Sequence, residues 1–264
     1  MARLAGTLRF ARALVAMNLR SSLALRGAFW LQAAFMALNN AAFFSIWWLL
    51  FERFPEIGGW RLHDMLTLFG VVASGYGVSI VLAGGVRDLG RAIREGELDS
   101  CLVQPKPVLL HQVASRTVAS GWGDIASGAV MLGIAGALGP ASLAATFLAV
   151  ASSASVFTAS GVILQSLSFW IDGMENFARQ ISEFTLNFST YPRPLFSGGV
   201  SVLLYTVVPA GFVGFLPAEL VRAPSLALAA AALAASLGWT LLALFVFERG
   251  LARYASGNRI GARQ

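Results

Sequence analysis

Glu175, Arg179, Glu183 and Asn187 follow one another at intervals of four residues. On a helix that spacing collects them into a single polar stripe. Two carboxylates and a guanidinium so placed could neutralise one another by i,i+4 pairing, which would lower the cost of burial. A second charged group, Arg87, Asp88, Arg91, Arg94, Glu95 and Asp99, lies in a stretch punctuated by Gly96, Pro105 and Pro107. The bland reading of that stretch is a solvated loop of anchoring charge. The functional reading is an element gripped by a partner on the cytoplasmic side. The remaining reactive inventory is thin. His63 and His111 are far apart, and each reads better as a solvated or interfacial side chain than as a metal ligand, so no metal is expected. Cys101 is the one cysteine, which rules out an internal disulfide. Lys106 is the one lysine and is flanked by prolines, so no phosphate-cradling GxxxxGK[ST] loop exists. The chain is therefore not expected to hydrolyse ATP or to bind a cofactor of its own.

The elements that must carry these residues are apolar. Of 264 residues, 57% are hydrophobic and 12% are charged. Soluble domains carry roughly 25% charged residues, so much of this surface is expected to face lipid. Spanning the hydrocarbon takes about 20 mostly apolar residues. Candidate spans are 28–51, 65–82, 119–138, 143–169 and 225–247. Residues 1–26 place Leu8, Phe10, Ala11, Leu14, Val15 and Leu19 at helical spacing among five arginines. That pattern suits an amphipathic helix in the membrane interface. A cleaved leader would need 7–15 unbroken apolar residues, so none is expected.

Between Trp170 and Ala223 two readings stand. Residues 198–216 are apolar, but Pro209 and Gly211 break them near the middle, as in a bent or re-entrant element. Residues 174–190 are helical in pattern and carry the polar stripe. Either stretch can be the fifth crossing, and either choice gives six spans in all. Arginine and lysine are counted near span ends because cytoplasmic loops carry their excess. Arg3, Arg9, Arg12, Arg20 and Arg26 precede the first span. Arg87, Arg91, Arg94, Lys106 and Arg116 lie between the second and third, and Arg249, Arg253, Arg259 and Arg263 follow the last. Arg53, Arg61 and Arg222 fall on the other side, and the side of Arg193 depends on which stretch is the fifth crossing. Both termini and the 87–107 segment are thus expected in the cytoplasm. The net charge of +6 reflects this anchoring and does not point to nucleic acid.

Three motifs carry a resemblance. IREGELDSCLVQPKP, residues 93–107, is similar to the pattern Ile-(Arg/Lys)-x-Gly-x-Leu-Asp-x-x-Leu-x-x-Pro-x-x-Pro that follows the second span in a branch of the ABC-2-type permeases, the membrane subunits of bacterial ABC exporters. FSTYPRPLF, residues 188–196, followed by VVPAGFVGFLPAEL, residues 207–220, resembles the Tyr-Pro segment and PxxFxxxxPA stretch of that branch. GLARYASGNR, residues 250–259, is similar to its short basic tail. With the spans, the resemblance covers nearly the whole chain.

The resemblance implies an all-α polytopic membrane protein forming one transmembrane domain over residues 1–264, with six transmembrane helices. It makes 87–107 a coupling segment seated on an ATPase, with Arg87, Asp88, Arg91, Arg94, Glu95, Gly96, Leu98 and Asp99 as its working residues. It implies a re-entrant hairpin at 197–217 on the outer side, which favours 174–190 as the fifth span. It also implies two cytoplasmic ABC ATPase subunits that carry the ATP and Mg, a second permease that is identical or homologous, and a bacterial inner-membrane location. Costly polar residues inside spans nominate Asn39, Asn40, Tyr76, Ser79, Glu175, Arg179, Glu183 and Asn187. They would either line a substrate route or form interhelical hydrogen bonds in the bundle or dimer. Asp124 and Trp47, Trp48, Trp60 and Trp170 read as interfacial. The competing functions are a lipid-modifying membrane enzyme, which would need a tighter acid–base cluster, and a non-transporting assembly subunit.

Overall fold

The computed structural model describes residues 2–254, and these form helices joined by short turns. In chain order they are α1 (Ala2–Ala24), α2 (Arg26–Arg53), α3 (Leu62–Leu82), α4 (Leu89–Glu95), α5 (Asp99–Leu102) and α6 (Val108–Val113). Then come α7 (Ser120–Ile134), α8 (Leu143–Ser166), α9 (Met174–Ser189), α10 (Gly198–Thr206), α11 (Leu216–Arg222) and α12 (Leu226–Leu251). Arg259 and Arg263 of the basic tail lie outside the described residues.

Four helices are long and apolar enough to cross a membrane: α2, α3, α8 with its 3-10 extension to Phe169, and α12. They fall where spans were expected at 28–51, 65–82, 143–169 and 225–247. α10 and the stretch Gly211–Arg222, which opens with a π-helical turn at Gly211–Phe215, are bent by 76° at the break. That bend sits at Val207–Ala210, where Pro209 lacks the N–H that a continuous helix needs. Counted as one broken span, the pair makes five; it is equally the shape of a re-entrant loop. The expected spans at 119–138 and 174–190 are shorter helices. α7 has 15 residues and α9 has 16, so at 1.5 Å per residue they reach only about 22–24 Å. α7 ends because Gly136 takes φ +65° and turns the chain.

α7 nevertheless sits at the centre. Gly70 and Gly77 on α3 meet Gly128 and Gly121 on α7. A Cβ on Gly77 would lie 2.6 Å from the Gly121 carbonyl oxygen, and one on Gly128 would lie 2.7 Å from that of Gly70. Only glycine permits backbones this close, and in lipid such contact is a main source of helix association. α12 is tied to α8 by hydroxyls: Ser236 Oγ donates to Ser152 Oγ (2.9 Å), and Ser152 Oγ to the Ala232 carbonyl (3.1 Å). Its other face leaves Leu233, Leu237, Leu241 and Phe245 exposed, as a lipid-facing helix would.

Two tryptophans differ from their interfacial reading. Trp47 and Trp60 are buried in an aromatic core with Phe44, Phe51, Phe69 and Phe215. Trp47 stands edge-on to Tyr191 with centroids 5.5 Å apart, and the Arg222 guanidinium covers Trp60 at 4.4 Å. Trp48 and Trp170 are exposed. α1 docks at the other end of the molecule, where Asn18 Nδ2 donates to the Ala114 carbonyl (2.7 Å) and Phe10 meets His111 edge-on.

Candidate functional site

The charged segment 87–107 is a folded unit. A 3-10 turn at Gly84–Asp88 leads into α4, and Gly96 ends α4 in the left-handed region at φ +78°. That turn lets the Glu97 N–H donate back to the Ala92 carbonyl (3.0 Å), the glycine-closed helix end that the Glu-Gly-Glu sequence suggests. Leu89 and Leu98 are fully buried beneath it with Ile93, Phe247 and Val162, and Leu251 and Tyr254 close the same cluster from the end of α12. The tail tyrosine of the third motif thus packs under this segment. Burial, and then the Asp99 carboxylate, push the Tyr254 phenol up to about 12, so it stays a neutral donor at any ordinary pH.

Above that apolar floor the charges are paired. Arg91 reaches Glu97 (2.7 Å), Glu95 (3.2 Å) and Asp88 (3.8 Å). Glu95 and then Glu97 hold its guanidinium pKa above the usual arginine range. Asp88 also accepts from Arg116 (3.0 Å), which starts the return toward α7. Arg94 pairs with Glu95 and, across 81 positions of sequence, with Glu175 in the first turn of α9. At the same crossing a Cβ on Gly90 would strike the side chains of Gln165, Ser168 and Glu175. α4 is therefore seated directly on the α8–α9 corner.

From that corner a cavity of about 350 Å³ opens between α3, α8 and α9. Its walls carry Tyr76, Ser79, Arg87, Asp88, Arg179 and Glu183. A second cavity of about 120 Å³ shares Tyr76 and Leu186 with the first, and adds Asn39, Asn40, Asp124, Asn187 and Thr190. Together they trace one polar path from segment 87–107 into the bundle, along the stripe of α9.

Most of the polar residues nominated from sequence thus meet along one path, but in two different conditions. Asn40 and Ser79 are committed to other helices. Asn40 Nδ2 donates to Asp124 Oδ1 (2.8 Å) and to Ser127 Oγ (2.9 Å), and Ser79 Oγ shares a hydrogen bond with Thr158 Oγ1 (2.7 Å). Tyr76 accepts from Arg87 Nη2 (3.2 Å). Arg179, Glu183 and Asn187 line the cavities with no side-chain hydrogen bond or ion pair to another described residue. Glu175 is the exception in place: it does not line either cavity, and its partner is Arg94. The expected i,i+4 neutralisation of Glu175, Arg179 and Glu183 is therefore not what the structure has. The first member of the stripe is drawn off by segment 87–107, and the other two remain apart.

Asp124 was misplaced by sequence reasoning. It is 3% exposed and lies on α7 against α2 and α3, not at an interface with water. A signal for this existed: Gly121, Ser127 and Gly128 share its helical face, and a face of small residues in a membrane helix marks close packing. Its partner Asn40, 84 positions away, could not be read from spacing.

Long apolar helices around a polar interior path, with a folded charged unit at one end, define a multi-pass membrane permease. The family model for the ABC-2 family transporter protein matches residues 37–257, and the chain belongs to that family. Searches of curated proteins and of solved structures returned no match. The match takes in α3 to α12, both cavities and segment 87–107. It makes the chain the membrane permease of an ABC transporter, in a family that normally works with ABC ATPase subunits and is typically a non-catalytic transport component.

Proposed function

We propose that this permease serves ATP-driven export. It crosses a bacterial inner membrane six times with both termini in the cytoplasm, and the short helices α7 and α9 are the two crossings beyond the four long ones. The bent α10–α11 pair is then re-entrant. Two ATPase subunits carry the ATP and Mg, and a second permease, identical or homologous, completes the route. The residues of segment 87–107, with Arg94, Glu95 and Asp99 foremost, receive the motion of the ATPase.

The observation that carries this reading is the Arg94–Glu175 contact. It joins the exposed charged unit to the one helix whose stripe lines the interior path. A displacement of α4 would move the α9 stripe, because the Gly90 crossing leaves no slack between them. Such a link has a use in a permease driven from outside the membrane, and none in an enzyme whose chemistry is complete within the bundle.

The test is charge reversal. Glu95→Lys with Asp99→Lys should abolish ATP-driven efflux in cells or proteoliposomes and release or uncouple the ATPase, while the detergent-purified bundle keeps its helix content. Full efflux and unaltered ATPase retention after substitution across 87–99 would remove the coupling assignment.

A further inference from the structure

Asp124 is the most deeply buried carboxyl of the bundle that no cation pairs with among the described residues. Its Oδ1 accepts from Asn40 Nδ2 at 2.8 Å, while its Oδ2 is buried and receives no hydrogen bond. Both Asn40 amide hydrogens are used, since the second goes to Ser127 Oγ. Arg87, the arginine that shares Tyr76 with this region, is engaged by the Tyr76 hydroxyl (3.2 Å). A carboxylate inside a membrane bundle needs a counter-charge or a proton, and such residues are retained where they serve a site.

The surroundings of Asp124 supply what an ammonium group requires. The 120 Å³ cavity that it lines also carries Asn39, Asn187 and Thr190, whose oxygens can accept N–H bonds. Phe43, Phe69 and Tyr76 add aromatic faces, which attract a cation through the ring quadrupole. No arginine or lysine lines this cavity, and the one cation that acts on the acid, Arg87, does so from the wall of the larger cavity without an ion pair. The smaller cavity shares Tyr76 and Leu186 with the 350 Å³ cavity beside it.

We infer that the Asp124 cavity is a subsite for the protonated amine of a transported organic cation. The cargo assignment deepens the export reading and rests on it. In the bound state the Asp124 carboxylate is the counter-charge and the Asn187 and Thr190 oxygens accept from the amine, while its apolar part lies against Phe43 and Phe69. No covalent step is involved.

The test needs no nucleotide. The full-length chain, with any copurifying subunits retained, is reconstituted in zwitterionic nanodiscs. Benzylammonium and its neutral counterpart benzyl alcohol are then titrated, with empty discs as the blank. Wild type should prefer benzylammonium by tenfold or more. Asp124→Asn should erase the preference, Asp124→Glu should keep much of it, and Glu52→Gln, near the end of α2 and outside both cavities, should leave it within twofold. Absence of a preference in wild type overturns the inference without reference to any variant. So does a preference that survives Asp124→Asn, which would make the carboxyl a packing group only. These results would leave ATP-driven export standing. An ammonium preference in a chain that shows no ATP-coupled efflux would keep the subsite and overturn the export reading instead.

Discussion

In segment 87–107, Arg91 has three acids within 3.8 Å and Arg94 has two within 3.4 Å. One helix away, on α9, Arg179 and Glu183 stand a single turn apart and make no ion pair. Both regions are built from arginine and glutamate at helical spacing, so residue type does not explain the difference. The backbone does. In segment 87–107 the 3-10 turn and the Gly96 reversal fold acids from three directions around Arg91. On α9 the helix runs straight, Glu175 is drawn toward Arg94, and the remaining side chains lie along a cavity wall. Charges that pair among themselves make a firm exposed unit. Charges left unpaired along an interior path are available to water, to a second subunit or to a ligand.

The contact between the two regions is where this contrast breaks most readily. Glu175→Lys places two cations together and should cut ATP-driven efflux by about tenfold or more, a change equivalent to about 1.4 kcal/mol. Adding Arg94→Glu should recover part of the loss in the same proteoliposome assay. Unchanged efflux in the single variant would mean that the two regions work independently.

A pair far from both regions calibrates the effect. Arg222 donates to Asp64 Oδ1 (2.7 Å) and to Glu219 (2.8 Å) while covering Trp60, so it clips the end of α11 to the start of α3. Arg222→Ala should cost about 1.5–3 kcal/mol of stability, the range for hydrogen bonds to charged groups. It should register as a lowered thermal midpoint, with the ATPase still retained.

Within segment 87–107 itself the redundancy of pairing predicts small effects. Arg91→Ala removes three exposed contacts yet should shift stability by less than about 1 kcal/mol, and less still in high salt. Smallest of all, Arg179→Gln removes a charge that has no described partner. It should leave stability within about 0.5 kcal/mol when measured by thermal unfolding in detergent. A large destabilisation at Arg179 would show that the charge is paired in the assembled protein.

Much of this molecule is legible in one dimension. The apolar stretches that became α2, α3, α8 and α12 are long enough that few other structures could bury them. Gly96 marks the end of α4 because the chain must reverse there, and Pro209 marks the α10–α11 bend because it cannot donate. The polar stripe of α9 follows from a four-residue spacing and the pitch of a helix. Each of these features rests on neighbours in sequence.

What the sequence left open rests on long-range partners. Asp124 and Asn40 are 84 positions apart and Arg94 and Glu175 are 81, and no local pattern joins them. Trp47 and Trp60 look like anchors for a membrane surface until the α10–α11 bend brings Phe215 beside them. The sequence by itself therefore determined a multi-pass helical membrane protein with a charged segment and a striped helix, because periodicity and apolar length are local properties. Only the tertiary structure decided that the two meet at Glu175, and that Asp124 is an interior acid with one oxygen unmatched, because pairing across a bundle depends on which helix faces come together.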